Sequence, residues 1–276
     1  MSTAAILLAL FAAVLHASWN AFLRNGKDRL CTVTVMSLAG TAIALACVPF
    51  LSLPAASAWG YILFSALLQV GYSLFLVTAY RHGDLGQVYP IVRGTVPLLV
   101  TFGAFFLTGD TLTAYQVAGV LLVALGIMSL SLGRDRATTA SIAWAIATGT
   151  IVAGYGMVDS VGVRLSGDST AYTAWVLVIY GTLLPSVYVL IRGRLSLDFR
   201  SRDEATALAG GLVAMIAYGS VVAAFALAPA GPITALRETS VVFALLIGWG
   251  FLGERLTIRR FAACIVVAAG AICLSL

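Results

Sequence analysis

Four charged side chains stand well inside long apolar runs of this 276-residue chain: Arg93, Asp159, Arg237 and Glu238. A charge at such a depth costs about 3 kcal/mol or more unless it is paired or hydrated, so each is expected to face the protein interior. Arg93 and Arg237 have two readings. Either they cap backbone carbonyls and lock a neighbouring carboxylate, or they attract an anionic group through the guanidinium fork; their matched depths favour the second. Glu238 either pairs across helices with Arg93, which keeps both charged, or takes up a proton, and pairing is the first expectation. Neighbouring helical positions point about 100° apart, so Glu238 and Arg237 are not expected to share one spot. Asp159 falls near the end of its run and is expected to reach the membrane interface, with proton coupling as the alternative.

Polar and aromatic side chains add a second layer. His16, Trp19 and Asn20 have i, i+3, i+4 spacing and share one helix face, which favours contact with a substrate over hydrogen bonding between helices. Gln69 and Tyr72 lie one turn apart. With Tyr80, Tyr89, Tyr155 and Tyr218 they could form an amphipathic cavity wall, although packing or an interfacial belt accounts for any one of these aromatics alone. Trp59 and Tyr61 read as belt residues. A lone His16 is no metal site, and Cys31, Cys47, Cys264 and Cys273 have no CxxC spacing and read as small buried hydrophobes. No phosphate-binding loop or catalytic serine motif is present, so neither an enzyme nor a cofactor is expected.

The elements that position these residues follow from composition. The chain is 61% hydrophobic and 10% charged, with a mean hydropathy of +1.02, whereas soluble domains carry about 25% charge. That excludes a soluble enzyme or a nucleic-acid-binding module and predicts an all-α integral membrane protein. Apolar runs near 3–23, 31–51, 58–80, 86–108, 113–132, 140–163, 170–191, 205–227, 231–252 and 258–276 each suffice to cross a bilayer. Of 16 Lys and Arg, 13 lie in the loops after odd-numbered spans: Arg24, Lys27, Arg29, Arg81, Arg134, Arg136, Arg192, Arg194, Arg200, Arg202, Arg255, Arg259 and Arg260. The positive-inside rule makes those loops cytoplasmic and puts both termini on the outer, periplasmic face of a cell (inner) membrane.

Displacing the chain against itself by 144 residues pairs Arg93 with Arg237, Thr95 with Thr239, Gly109 with Gly253, Leu112 with Leu256, Thr113 with Thr257 and Gly126 with Gly270. Two five-helix repeats, 1–136 and 137–276, are therefore expected. Five is odd, so the second repeat enters the membrane from the opposite side, and the halves are inverted about an axis in the membrane plane. Pro90 and Pro97 bracket Arg93, which makes the fourth span the expected broken helix. Gly154, Gly156, Gly210 and Gly211 are expected to permit close helix approach.

The turns "GDTLT" at 109–113 and "GERLT" at 253–257, each leading into a Gly/Ala-rich helix, resemble the EamA branch of the drug/metabolite transporter superfamily. "HASWN" at 16–20 is similar to a subgroup associated with phosphonate utilisation. The resemblance covers the whole chain. It implies a central cavity lined by spans one, three, four, six, eight and nine, with spans five and ten peripheral, and export or exchange of small metabolites. Better-known members are described with cytoplasmic termini, opposite to the orientation that the charges here imply. The expected activity is secondary transport, by alternating access, of a small organic anion or a zwitterion such as an amino acid or phosphonate. A flippase for a lipid-linked phosphate is the alternative. The expected partners are a small-molecule substrate and membrane lipid, not nucleic acid, with the protein a monomer or homodimer.

Overall fold

The computed structural model describes the chain outside residues 24–27, 83–84, 108, 110, 132–137, 196, 198–200, 253–256 and 276; for 19–23, 80–82, 85–87, 107, 248 and 251–252 it describes the backbone alone. Without water in the hydrocarbon layer, backbone N–H and C=O groups must bond within their own segment. Accordingly the described residues form helices and no strand: α1 Thr3–Leu23, α2 Arg29–Cys47, α3 Trp59–His82, α4 Leu85–Leu107, α5 Ala114–Ser129, α6 Thr139–Ser166, α7 Ser169–Arg192, α8 Arg202–Leu227, α9 Ala230–Glu238, α10 Ser240–Leu252 and α11 Ile258–Ser275. Eight stretches are long and apolar enough to cross a membrane, with α9 and α10 sharing one of them, and two apolar stretches, Thr3–Ser18 and Ala114–Ser129, are shorter. The 16-residue α5 reaches only about 24 Å.

Local chemistry sets the helix starts. Asp28, Thr138, Asp168 and Ser201 cap α2, α6, α7 and α8 with side-chain oxygens. The G-[DE]-x-L-T turn has a physical basis in the same terms. Gly109 adopts φ +67°, a left-handed conformation open to glycine. Thr113 then caps α5 in a reciprocal box, accepting from the Gln116 N–H at 3.2 Å while Gln116 Oε1 accepts from its own N–H at 3.1 Å. In the second turn Thr257 accepts from the Arg260 N–H at 3.3 Å, while residues 253–256 lie outside the described residues.

Packing repeats with the two halves exchanged. α3 lies on α6 as α8 lies on α1, α4 lies on α6 as α9 and α10 lie on α1, and the pairs α2–α7, α4–α9 and α5–α11 map onto themselves. The α5–α11 contact displays the two-fold directly. A Cβ added to Gly270 would come within 2.8 Å of Val123 Cγ2, and one added to Gly126 within 2.8 Å of Val267 Cγ2. Residues 123 and 126 are the repeat equivalents of 267 and 270, so the interface is self-complementary in the manner of an isologous dimer. α5 and α11 stay at the periphery, packed on each other and on α4, α9 and α10.

Two expectations about the helices need correction or sorting. α4 is continuous through Pro90 and Pro97, and the broken span is the ninth, divided at Thr239 into α9 and α10. Its own prolines sit harmlessly at the start of α9, Pro229 as N-cap and Pro232 in the first turn, where N–H groups have no helical partner. At the break the Thr239 N–H donates to Leu236 O at 3.1 Å and the Val242 N–H to Thr239 O at 2.8 Å, both i to i−3 bonds. The Thr239 hydroxyl also donates to Leu236 O, at 2.6 Å, which tightens the turn that ends α9. Gly211 is a site of close approach, since an added Cβ would stand 2.3 Å from Met36 O, but Gly154 and Gly156 make only ordinary contacts.

Candidate functional site

Arg93 lies about 12 Å along α4 and Arg237 about 11 Å along the antiparallel α9, so their side chains approach from opposite faces of the membrane. Between them stands Glu238, fully buried, with Arg93 and Arg237 only 5% and 8% exposed. Arg93 Nη1 donates to the Glu238 oxygens at 3.3 and 3.4 Å. Arg237 Nη2 donates to Glu238 Oε1 at 2.7 Å and its Nε to the same oxygen at 3.2 Å. The expectation that Arg237 and Glu238 diverge is therefore wrong. Their Cα–Cβ bonds do diverge, but the arginine is long enough to fold back, and burial leaves the carboxylate no other partner so near. Two guanidinium groups share one carboxylate, so this cluster of three side chains carries one net positive charge where the repeats meet.

Other groups complete this centre. His16 on α1 bonds Arg93 Nη2 through its Nε2, and the Arg93 guanidinium carbon lies 5.1 Å from the centroid of Tyr89, one turn earlier on α4. Tyr72 and Tyr155 meet edge-on with centroids 6.1 Å apart. His16, Tyr89, Tyr155 and Tyr218 are each half-buried. Trp19 and Asn20 are in α1, but their side chains, like that of Tyr80, lie outside the described residues.

Asp159 does not reach the interface. It is 1% exposed, about 10 Å from the end of α6, with Oδ1 accepting from the Tyr172 hydroxyl and Oδ2 from the Tyr218 hydroxyl, both at 2.9 Å. Gln69 Nε2 donates to the Tyr218 oxygen at 3.2 Å and to Ser65 Oγ at 3.1 Å, so the network joins α3, α6, α7 and α8. Buried among α6, α7 and α8, the carboxylate is satisfied by the two phenols. Sequence reasoning passed over Tyr172, which stands three residues into α7 where a tyrosine reads as belt. Of the two belt assignments, Trp59 packs edge-on against Trp175 with centroids 4.9 Å apart. Arg164, in the last turn of α6, donates from Nε to Phe225 O at 3.0 Å and from Nη2 to Ala228 O at 2.9 Å, capping α8 just before the α8–α9 turn. Among the described residues no three His, Cys, Asp or Glu side chains come together as a metal site would require.

These helices and their paired arginines define a multi-pass integral membrane protein of two five-helix repeats. The EamA-like transporter family matches residues 3–132 and again 139–276. The chain belongs to that family, and so to the membrane transporters of the drug/metabolite superfamily. A solved crystal structure of a protein is similar over 99% of this chain and 96% of its own, with a TM-score of 0.74 at 18% identity, a likeness of fold alone. No curated protein matches the chain by sequence.

Proposed function

We propose that this chain is a secondary active transporter of a small organic anion or zwitterion, working by alternating access, with the substrate's negative group received by Arg93 and Arg237. The observation that carries the reading is the two-to-one ratio of guanidinium groups to carboxylate at the junction of the repeats. One monoanionic carboxylate, phosphonate or phosphate group would balance the charge, and the bidentate fork suits all three. Glu238 then acts as a resident counter-anion that holds both arginines until substrate takes over one of them. His16, Gln69, Tyr72, Tyr89 and Tyr155 supply the adjoining wall, and Trp19 and Asn20 extend the His16 face of α1. The self-complementary α5–α11 contact supports alternating access, because it gives the inverted halves a common axis about which to exchange conformations.

Uptake into proteoliposomes across a panel of amino acids, phosphonates, organic cations and a polyprenyl phosphate tests the reading. Saturable uptake of an anion or zwitterion, lost in Arg93→Gln, is the expected result; uptake confined to organic cations would end it. The charge distribution also supports outward-facing termini in the cell membrane, so a reporter fused after Leu276 is expected to be active only in its periplasmic form.

A further inference from the structure

Two carboxylates lie deep in the membrane-spanning bundle, and their surroundings differ in kind. Glu238 touches two guanidinium groups, so a proton added there would strand two buried positive charges. Asp159 accepts from the neutral hydroxyls of Tyr172 and Tyr218, and the neutral Ser65 hydroxyl bears on it as well. Among the described residues, the buried charged groups on elements packed against α6 are Arg93 on α4 and Arg237 and Glu238 on α9; Arg192 stands at the end of α7, Arg202, Asp203 and Glu204 at the start of α8, and Arg164 of α6 itself is turned onto the end of α8. Arg237 acts on Asp159 only through its field, its guanidinium being committed to Glu238 at 2.7 Å. On α3 the facing groups are Ser65, Gln69 and Tyr72, on α7 Tyr172, and on α8 Tyr218, all neutral.

We propose that Asp159 is a proton-binding site, the place where a proton gradient enters the transport cycle. A proton from the nearer aqueous face adds to one carboxylate oxygen and forms a carboxyl O–H, and the same proton leaves when the site opens to the other face. The ionised form accepts the two phenolic O–H bonds, whereas the protonated form carries an O–H that donates, either to the Ser65 hydroxyl or to a phenol that turns its own O–H away. For Tyr218 the change passes to Gln69, whose side chain ties α3 of the first repeat to α8 of the second. When Tyr218 is the group that turns, occupancy by a proton alters a bond between the two repeats, while the pairing of Glu238 stays intact. The use of the proton for transport rests on the function proposed above; the binding of the proton at Asp159 does not.

Infrared pH titration of the purified full-length protein in lipid vesicles, with no substrate added, tests the site directly. The wild type should show a protonated-carboxyl C=O component in addition to that of the surface Asp and Glu side chains, titrating between about pH 4 and pH 9, and Asp159→Asn should abolish that component. Tyr172→Phe and Tyr218→Phe each remove one donor to the ionised form, so each should move that component's midpoint upward by about one pH unit. Survival of that component in Asp159→Asn, or its absence from the wild type, overturns the proposal. Should Asp159→Asn fail to give monodisperse protein, the tyrosine variants decide, and a midpoint unmoved in both overturns it. A titrating Asp159 in a protein that moves no anion would refute the transport reading and leave the proton site standing.

Discussion

Arg93 and Arg237 are repeat equivalents, but their next neighbours differ. In the first repeat the arginine is followed by Gly94, and a Cβ there would stand 2.4 Å from Met128 Cγ and 2.9 Å from Ala124 O. α4 is pressed onto α5 at that point and has no room for a side chain. In the second repeat Glu238 takes the position, and the helix ends there, with α10 resuming after Thr239 and making only slight contact with α11. One half has traded a carboxylate for tight packing, and the other has traded packing for a carboxylate that serves both arginines. An exactly symmetric centre would carry either two arginines with no counter-charge or two arginines and two glutamates. The observed asymmetry leaves a single positive charge.

Neutralising the glutamate should have the largest effect on this contrast. Glu238→Gln leaves two buried guanidinium groups without a counter-charge and should cost about 3–5 kcal/mol of stability, read as early thermal unfolding in detergent. Adding Arg93→Met should recover part of the loss; a double variant no more stable than the single one would mean that the pairing is incidental.

Next come the arginines. Arg237 grips Glu238 at 2.7 Å and Arg93 at 3.3 Å, so Arg93 is the freer to engage an anion. Arg93→Gln should weaken binding of an anionic substrate by about 1.5–3 kcal/mol, leaving its neutral amide analogue little affected, whereas Arg237→Gln should show more in stability than in binding. Equal losses for anion and amide would make both arginines structural.

The glycine side of the comparison predicts smaller changes. Gly94→Ala should cost about 1–3 kcal/mol through overpacking against α5, seen as a lower melting temperature, and wild-type melting would show that α4 can yield. The smallest difference separates two symmetry mates. An alanine at Gly270 meets the Gly119 carbonyl oxygen at 2.9 Å and Val123 N at 3.0 Å, while one at Gly126 meets its nearest backbone atom, Val267 N, at 3.3 Å. Gly270→Ala should therefore melt lower than Gly126→Ala by about 1 kcal/mol; the reverse order would place the tighter side of the axis on α5.

Much of this was legible before the structure. Arg93 and Glu238 could be paired on paper because a buried charge needs an opposite one and few were available. The ten apolar segments followed from hydropathy, and the repeat from Gly109, Thr113 and their partners at 253 and 257. What escaped was everything that depends on side-chain reach or neighbouring helices. Asp159 read as interfacial because its position along α6 was visible, while the hydroxyls of Tyr172 and Tyr218 that hold it inside come from two other helices. Pro90 and Pro97 pointed to the wrong broken helix, since the break at Thr239 arises from i to i−3 bonding beside a buried ion cluster and carries no proline at all.

The amino-acid order by itself determined that the chain lives in a membrane, how many times it crosses and that its halves are inverted, because each follows from counting apolar residues against a fixed bilayer thickness and from the parity of five. Only the tertiary structure decided which charges meet. A guanidinium on a flexible stem can reach its helical neighbour or a residue 145 positions away, and the packing of α4 on α5 and the ending of α9 at Glu238 select among those partners.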